Sequence, residues 1–343
     1  MRLRERVAQR QSRNSDVLEL PAGSQAITRE SKKTYMKLPQ VSVIVPIYNG
    51  SAYLAETLSS LLFQTFRNYE LLAIDDGSTD NSADIVRSFN DERFRLIQTD
   101  HAGLCHALNL GIAEAKGAYI ARCDQDDVSF PDRLERQLQV MKDHTEAIGL
   151  FSYVEKLGNK HRWSNKDRVV MDLGHLKEYQ PIEDGCLLCS TMFIRTEALR
   201  SIGGFRQAYY PVDDWDMECR LAQSGKVLIM LEPLIYYRFQ SNANTYRTYA
   251  EMREKTRWTR DSYWRRMKSL PELTLEQFRK SQPQDLWSRM NRIRKDSSKL
   301  HMRTAGNRLL DGHYLTAAFH LCIGFILNPA DLERRILRYV FHK

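Results

Sequence analysis

Asp124, Asp126 and Asp127 place three carboxylates within four residues, directly after the apolar run Tyr119-Ile-Ala-Arg-Cys123. Two carboxylates about 4 Å apart in an effective dielectric of about 20 repel by about 4 kcal/mol. A cation among them removes that cost. A hard divalent ion, Mg²⁺ or Mn²⁺, prefers oxygen ligands and usually shares its site with substrate phosphates. Asp126 is the best placed ligand, with Asp124 in support. The other reading is an exposed acidic turn that caps the next helix. Two more acidic groups stand at element ends: Asp75-Asp76, and Asp213-Asp214-Trp215-Asp216. For a nucleoside diphosphate with a good leaving group, Asp76 can accept from a uracil-type N–H or a ribose hydroxyl. Asp214, at a helix start, can act as general base, an effect worth about 10²–10⁴ in rate. The structural alternatives are an Asp-Gly turn with Gly77 and an N-cap worth about 0.3–1 kcal/mol. Pro46 and Tyr48 follow the first apolar run and can line a base pocket, and Tyr48 can equally serve packing. His101 and His106 flank a turn and a helix start, and read as surface or packing histidines.

These residues need a scaffold, and the hydrophobic periodicity supplies one. Val41–Pro46, Glu70–Ile74, Phe94–Gln98 and Ala118–Cys123 read as strands. Between them, 51–64, 80–89 and 103–115 have helical spacing, with Asp80 as an N-cap and Gly117 as a C-terminal cap. Phe130-Pro-Asp132 opens another helix. This β-α alternation predicts a doubly wound parallel sheet, whose ligands bind at the carboxyl ends of the strands. Further on, 155–185 reads as a polar, substrate-facing loop with a short helix at 169–178. Thr191–Ile194 reads as a strand and Gly203-Gly-Phe205 as a tight turn. Asp213 opens a helix to Ser224, and 227–231 and 234–239 read as strands.

Length and charge bound the rest. The 343 residues suffice for one large α/β domain with an appendage, and the net charge of +8 points to anionic partners. Residues 1–38 read as a disordered basic extension, with Met36 an alternative start; 39–245 form the catalytic domain; 246–343 form a basic, mainly helical region. That last region carries roughly eleven more bases than acids, with Trp258, Trp264 and Trp287 interleaved, so it is expected either to contact an anionic membrane or to present solvated helix faces. Leu315–Leu327 is too short to span a bilayer and is expected to pack in a hairpin or dip into an interface. No spanning segment or signal peptide is evident, and a cytoplasmic chain, peripheral at the inner face of the plasma membrane, is expected. The Cys186-Leu-Leu-Cys189 pair has no second pair and no spaced histidine, and reads as buried thiols.

Val41-Ser-Val-Ile-Val-Pro-Ile-Tyr-Asn49, Asp75-Asp-Gly-Ser-Thr-Asp80, Gly117-Ala-Tyr-Ile-Ala-Arg-Cys-Asp-Gln-Asp-Asp127 and Asp213-Asp-Trp-Asp216 resemble, in order and spacing, the family 2 glycosyltransferases. The resemblance covers about residues 40–240. It implies a GT-A fold with a doubly wound, mainly parallel but mixed sheet flanked by helices. It also implies inverting, metal-dependent transfer of a sugar from a nucleoside diphosphate, with UDP preferred, to a hydroxyl of a glycan or lipid-linked acceptor in surface or extracellular polysaccharide assembly. Pro46, Tyr48 and Asp76 would hold the nucleoside. Asp124 and Asp126 would bind Mg²⁺ or Mn²⁺ with the diphosphate, and Asp214 would be the base. Gly204, Asp213 and Trp215 would lie on the acceptor side. Where many members carry a helical arginine before the Asp-x-Asp strand, this chain has Leu108-Asn109, so Asn109 is the candidate there. Gln240 replaces a common histidine. The Gln-x-x-Arg-Trp signature of processive synthases is absent, which favours single-sugar transfer. The competing reading is a sugar-nucleotide-binding protein without catalysis. No nucleic-acid partner is expected.

Overall fold

The structure, a computed structural model, describes residues 38–157, 176–238, 249–310 and 314–328. The first strand, β1 (Val41–Ile47), is buried along its whole length, which is why its sequence is apolar almost throughout. It is followed by α1 (Leu54–Leu62), β2 (Tyr69–Asp75), α2 (Ser82–Ser88), β3 (Phe94–Gln98), α3 (Leu104–Glu114) and β4 (Tyr119–Arg122). These four strands lie parallel in the order β3-β2-β1-β4. The chain winds outward from β1 and then returns to its other side. The crevice above β1 and β4 is therefore the topological switch point at which ligands of such sheets bind.

The second half of the domain extends the sheet with mixed direction. After β5 (Val128–Ser129) and α4 (Arg133–Asp143) come β6 (Ala147–Leu157), β7 (Leu176–Glu178), α5 (Pro181–Asp184), β8 (Phe193–Arg195), α6 (Thr196–Ser201), α7 (Asp213–Ser224) and β9 (Lys226–Arg238). β8 pairs antiparallel with β4 and with β6, and β9 runs parallel to β6. β5 and β7 pair antiparallel with β9. Alternate strand residues feed two cores. Val43, Val45 and Leu71 pack with Leu58 of α1 and Leu138 of α4. Ile44, Leu72 and Ile120 pack with Leu108 of α3 and with Met217 and Leu221 of α7 on the opposite face.

Beyond the sheet, α8 (Tyr249–Met267), α9 (Leu275–Ser281), α10 (Leu286–Leu310) and α11 (Tyr314–Leu327) follow. The α8 helix docks on the domain through Trp258. Its ring stacks on Tyr209 at 3.9 Å, and its Nε1 donates to the Leu273 carbonyl at 2.8 Å. Thr274 and Gln277 form a reciprocal capping box at the start of α9. Leu315–Leu327 is the apolar arm of a hairpin with α10. No helix among the described residues is long and apolar enough to cross a membrane.

Several sequence expectations need correction. The strand β6 went unforeseen, because its apolar first half follows α4 without glycine or proline to mark a new element. The helix expected at 169–178 meets a strand at Leu176–Glu178, and its earlier part lies outside the described residues. The two strands expected at 227–239 are one, β9, with Pro233 seated at a register shift against β6. The strand expected at Thr191 starts at Phe193. Asp80 lies before the α2 cap, Asn81, yet its Oδ1 accepts from the Ser82 N–H at 3.0 Å and its Oδ2 from the Ser51 N–H at 3.0 Å. These bonds outweigh burial and hold its pKa down to about 2. Cys189 is buried as expected, whereas Cys186 is exposed. The basic extension, Met36, Gln240 and most of the 155–185 loop fall outside the described residues.

Gly117 does not cap α3, whose C-cap is Ala115 in extended conformation. Its role is close approach: a Cβ there would lie 2.5 Å from the Ser42 nitrogen. The Ser42 hydroxyl accepts from the Gly117 N–H at 2.8 Å and donates to Glu70 at 2.7 Å, knitting β1, β2 and the entry to β4. Gly117→Ala is therefore expected to lower stability by about 1–3 kcal/mol through overpacking, read as a lower urea midpoint. An unchanged midpoint would show that the backbone can yield there.

Candidate active site

A cavity of about 480 Å³ opens above the carboxyl ends of β1, β2 and β4. It is lined by Pro46, Ile47 and Tyr48 at the end of β1, by Asp76 after β2, by His101 and Gly103, by Arg122, Asp124, Gln125 and Asp126 at the end of β4, and by Gln207 and Tyr210. Four of the sequence-predicted binding residues besides Asp126 thus meet at one place: Pro46, Tyr48, Asp76 and Asp124.

Tyr48 and His101 make an aromatic face, with ring centroids 4.2 Å apart and planes 23° from parallel. Both rings are exposed. His101 is thus a cavity residue and not merely a surface one; the readable signal was its position just past the carboxyl end of β3. Asp76 is buried, and much of its capacity is already used. Its two oxygens accept from the backbone N–H groups of Ala102 and Gly103, both at 2.9 Å, and His101 Nδ1 lies 2.9 Å from Oδ2. Asp76 thereby braces the loop that delivers His101 and the start of α3.

The acidic loop after β4 is held from several directions. Gln125 grips Tyr48 in both senses: its Oε1 accepts from the Tyr48 N–H at 2.9 Å, and its Nε2 donates to the Tyr48 carbonyl at 3.1 Å. Arg122, buried on β4, donates from Nε to Asp124 Oδ1 at 2.7 Å, and its guanidinium lies 5.9 Å from the centre of the Phe205 ring. Burial works against its charge, but Asp124 and Asp213 more than offset that. Arg133, with no exposed surface, donates to the Arg122 carbonyl at 2.7 Å, to Ser129 at 3.1 Å and to Gln137 at 3.0 Å. Arg238 donates its backbone N–H to Asp127 Oδ1 at 3.0 Å and its Nε to the Asp126 carbonyl at 3.0 Å.

These side chains fit a divalent cation. Asp124 and Asp126 present carboxylates to the cavity. Behind them, Asp127 Oδ2 is buried without a hydrogen-bond partner, and burial together with the Asp124 charge pushes its pKa up to about 7. No cluster of three or more candidate ligands is preformed among the described residues.

Asp214 opens α7, half-buried beside buried Asp213. Desolvation first, and Asp213 second, push its pKa up to about 6; the Trp215 N–H, at 2.8 Å from Oδ1, and the Cys186 thiol oppose the rise. A carboxylate in that range is a stronger base than usual and still ionised at neutral pH. One helical turn on, Glu218 is fully buried. It accepts from the Tyr179 hydroxyl at 2.7 Å and from the Leu187 N–H at 3.0 Å, and burial raises its pKa well above the usual value.

Three other expected site residues have packing or hydrogen-bond partners of their own. Asn109 does not line the cavity: its amide donates to the Phe205 carbonyl and accepts from the Phe205 N–H, both at 2.8 Å. Gly204 has φ +63°, and a Cβ there would lie 2.3 Å from Asn109 Oδ1, so the Gly-Gly-Phe turn is the counterpart of that amide. Trp215 is buried and donates to the Pro181 carbonyl at 3.2 Å. Arg122, missed from sequence, was signalled by a charge in an otherwise apolar strand.

Comparison with known proteins agrees with this geometry. The profile of glycosyl transferase family 2 matches residues 42–203. A putative glycosyltransferase of Bacillus subtilis, EpsE, is 33% identical over 197 residues, covering 54% of this chain and 68% of that protein. The chain belongs to glycosyl transferase family 2. An uncharacterised glycosyltransferase of Rickettsia felis is 28% identical over 225 residues, covering 63% of this chain but only 36% of the relative. S. aureus TarS, solved in complex with UDP-GlcNAc, superposes with a TM-score of 0.53 at 16% identity, over 86% of this chain and 92% of that one. The shared architecture is the GT-A fold.

The raised carboxyls generate a stability prediction. Asp127, Asp214 and Glu218 bind their protons more tightly folded than unfolded. The stability they contribute is full below about pH 4, the unfolded value; for Asp214 it is lost as pH rises through about 6 and for Asp127 through about 7, and Glu218 adds in the same direction. The metal-free protein should accordingly show a higher urea midpoint at about pH 5.5 than at about pH 8. A midpoint that rises with pH over that interval would contradict this assignment.

Proposed function

We propose that this family member is a metal-dependent, inverting glycosyltransferase that takes its sugar from a nucleoside diphosphate, a UDP-sugar by preference, and passes it to a hydroxyl of a glycan or lipid-linked acceptor. The observation that carries the reading is the single cavity in which an aromatic face, an acidic Asp-x-Asp loop and a buried arginine meet. The UDP preference rests on the fold shared with TarS, solved with UDP-GlcNAc.

In this reading the base stacks against Tyr48 and His101, and Asp76 keeps the loop that carries His101 in register. Asp126 and Asp124 hold a divalent ion, which supplies charge neutralisation and Lewis-acid assistance to the departing diphosphate. Arg122 takes the place of the helical arginine that this chain lacks at Leu108-Asn109. Its Nε is engaged by Asp124, and the guanidinium reaches the cavity wall, where it can meet phosphate oxygens. Asp214 removes the proton of the acceptor hydroxyl as the new bond forms at the anomeric carbon. Burial around Asp213, Asp214 and Glu218 excludes water that would compete as acceptor.

Three outcomes test this. In a panel of UDP-, GDP- and dTDP-sugars, one donor should release nucleoside diphosphate with Mn²⁺ or Mg²⁺ and none with EDTA. No sugar-nucleotide binding at all would overturn the proposal, and tight binding without turnover under any acceptor would favour a binding protein. Asp126→Ala should lose Mn²⁺ affinity, read by electron paramagnetic resonance, while keeping its melting temperature. Asp214→Asn should keep donor affinity and lose about 10²-fold or more in kcat, and the wild-type acid limb should have a midpoint near pH 6. A variant that loses donor affinity and kcat equally would make Asp214 structural.

A further inference from the structure

We infer that the α10–α11 hairpin is a docking surface for an anionic phospholipid bilayer. The α11 helix contains no Asp, Glu, Lys or Arg. One side of it is consumed by the hairpin. Ala317 and Gly324, seven residues apart, are buried; a Cβ at Gly324 would lie 2.9 Å from the Met302 sulfur. The Ser298 hydroxyl donates to the Gly324 carbonyl at 2.8 Å. Small residues thus let the two helices approach closely.

The other side is apolar and uncovered. Leu315, Phe319, Cys322 and Ile326 follow one another at steps of four, three and four, which puts them in one stripe. That stripe lies on the half of the helix away from Ala317 and Gly324. Leu315 is 89% exposed and Ile326 73% exposed. On α10, Leu286, Trp287, Met290 and Ile293 form a second exposed apolar stripe, with Trp287 78% exposed. Exposed apolar side chains grouped in this way mark an interaction site.

Charge selects the partner. The excess of eleven bases beyond residue 245 is larger than the net +8 of the whole chain, so the remainder is net acidic and the positive charge is concentrated on this side of the sequence. Arg294 and Lys295 are exposed on α10, and Arg294 stands four residues from Met290 and seven from Trp287, on the same face. A second copy of the chain would bring like charges together. An anionic bilayer attracts them, and accepts a Trp-, Phe- and Leu-bearing face at its headgroup boundary. At 14 residues and about 1.5 Å per residue, α11 is far shorter than the ~30 Å hydrocarbon core. It lies in the interface and does not cross it.

Vesicle binding needs no sugar nucleotide, so its outcome is independent of the transferase reading. The full chain should sediment with vesicles of equal parts phosphatidylglycerol and phosphatidylcholine, remain in the supernatant with phosphatidylcholine alone, and be released by high salt. The double variant Leu315→Ser/Phe319→Ser, in exposed positions, should keep its melting temperature and bind about tenfold more weakly or worse. Arg294→Glu/Lys295→Glu should likewise weaken binding to the anionic vesicles. Equal binding by wild type and both variants, or no binding to either vesicle, would overturn the inference. So would a dimer in sedimentation velocity that Leu315→Ser/Phe319→Ser converts to monomer.

Discussion

Arg133 has no exposed surface, and it bonds the end of the strand that leads into a loop of three carboxylates. Burial lowers its pKa, and Cys123, then Asp127 and Asp124, oppose that fall without cancelling it. The guanidinium lacks water but is met by the Arg122 carbonyl, Ser129 and Gln137, and Asp124 is paired with Arg122. A buried charge left alone would cost several kcal/mol, so these partners are what make a buried arginine tolerable here. Through the bond to the Arg122 carbonyl, the same guanidinium fixes the end of β4. Arg122 in turn aims at Asp124 and, by its charge, at Asp213. The acidic loop and the start of α7 are therefore coupled through one strand.

The same economy appears on the nucleoside side. Gln125, the middle residue of the Asp-x-Asp motif, spends its side chain on the backbone of Tyr48. Asp76 spends its carboxylate on the loop that presents His101. The rings that would face a base are consequently set by the same two loops that carry the acidic groups. A shift in either loop would move both the stacking face and the phosphate end. The crevice at the β1/β4 switch point is thus built by loops that hold one another.

Much of this was legible in the sequence for a physical reason. Chemistry-bearing residues at strand ends are marked by abrupt changes from apolar to acidic, as at Ala73-Ile-Asp75-Asp76 and Arg122-Cys-Asp124. The parallel half of the sheet was legible because fully buried strands read as apolar runs. What stayed hidden depends on distant partners. Asn109 looks like a pocket residue until its amide is seen to hold Phe205, 96 residues away. His101 gains meaning only when β1 brings Tyr48 beside it. Trp258, which composition left open to a membrane or a solvated helix face, is a core residue that docks α8. The strand β6 lacked turn residues at its start, and β9 hid behind Pro233, which a bulge accommodates.

The most direct test of the central claim is a crystal of the protein with UDP and Mn²⁺, measured for anomalous scattering at manganese. One manganese peak is expected between Asp126, Asp124 and the diphosphate, with the uracil against Tyr48 and His101 and a phosphate oxygen within hydrogen-bond distance of Arg122. A nucleotide bound elsewhere, or a diphosphate in this cavity with no metal peak beside the two aspartates, would contradict it.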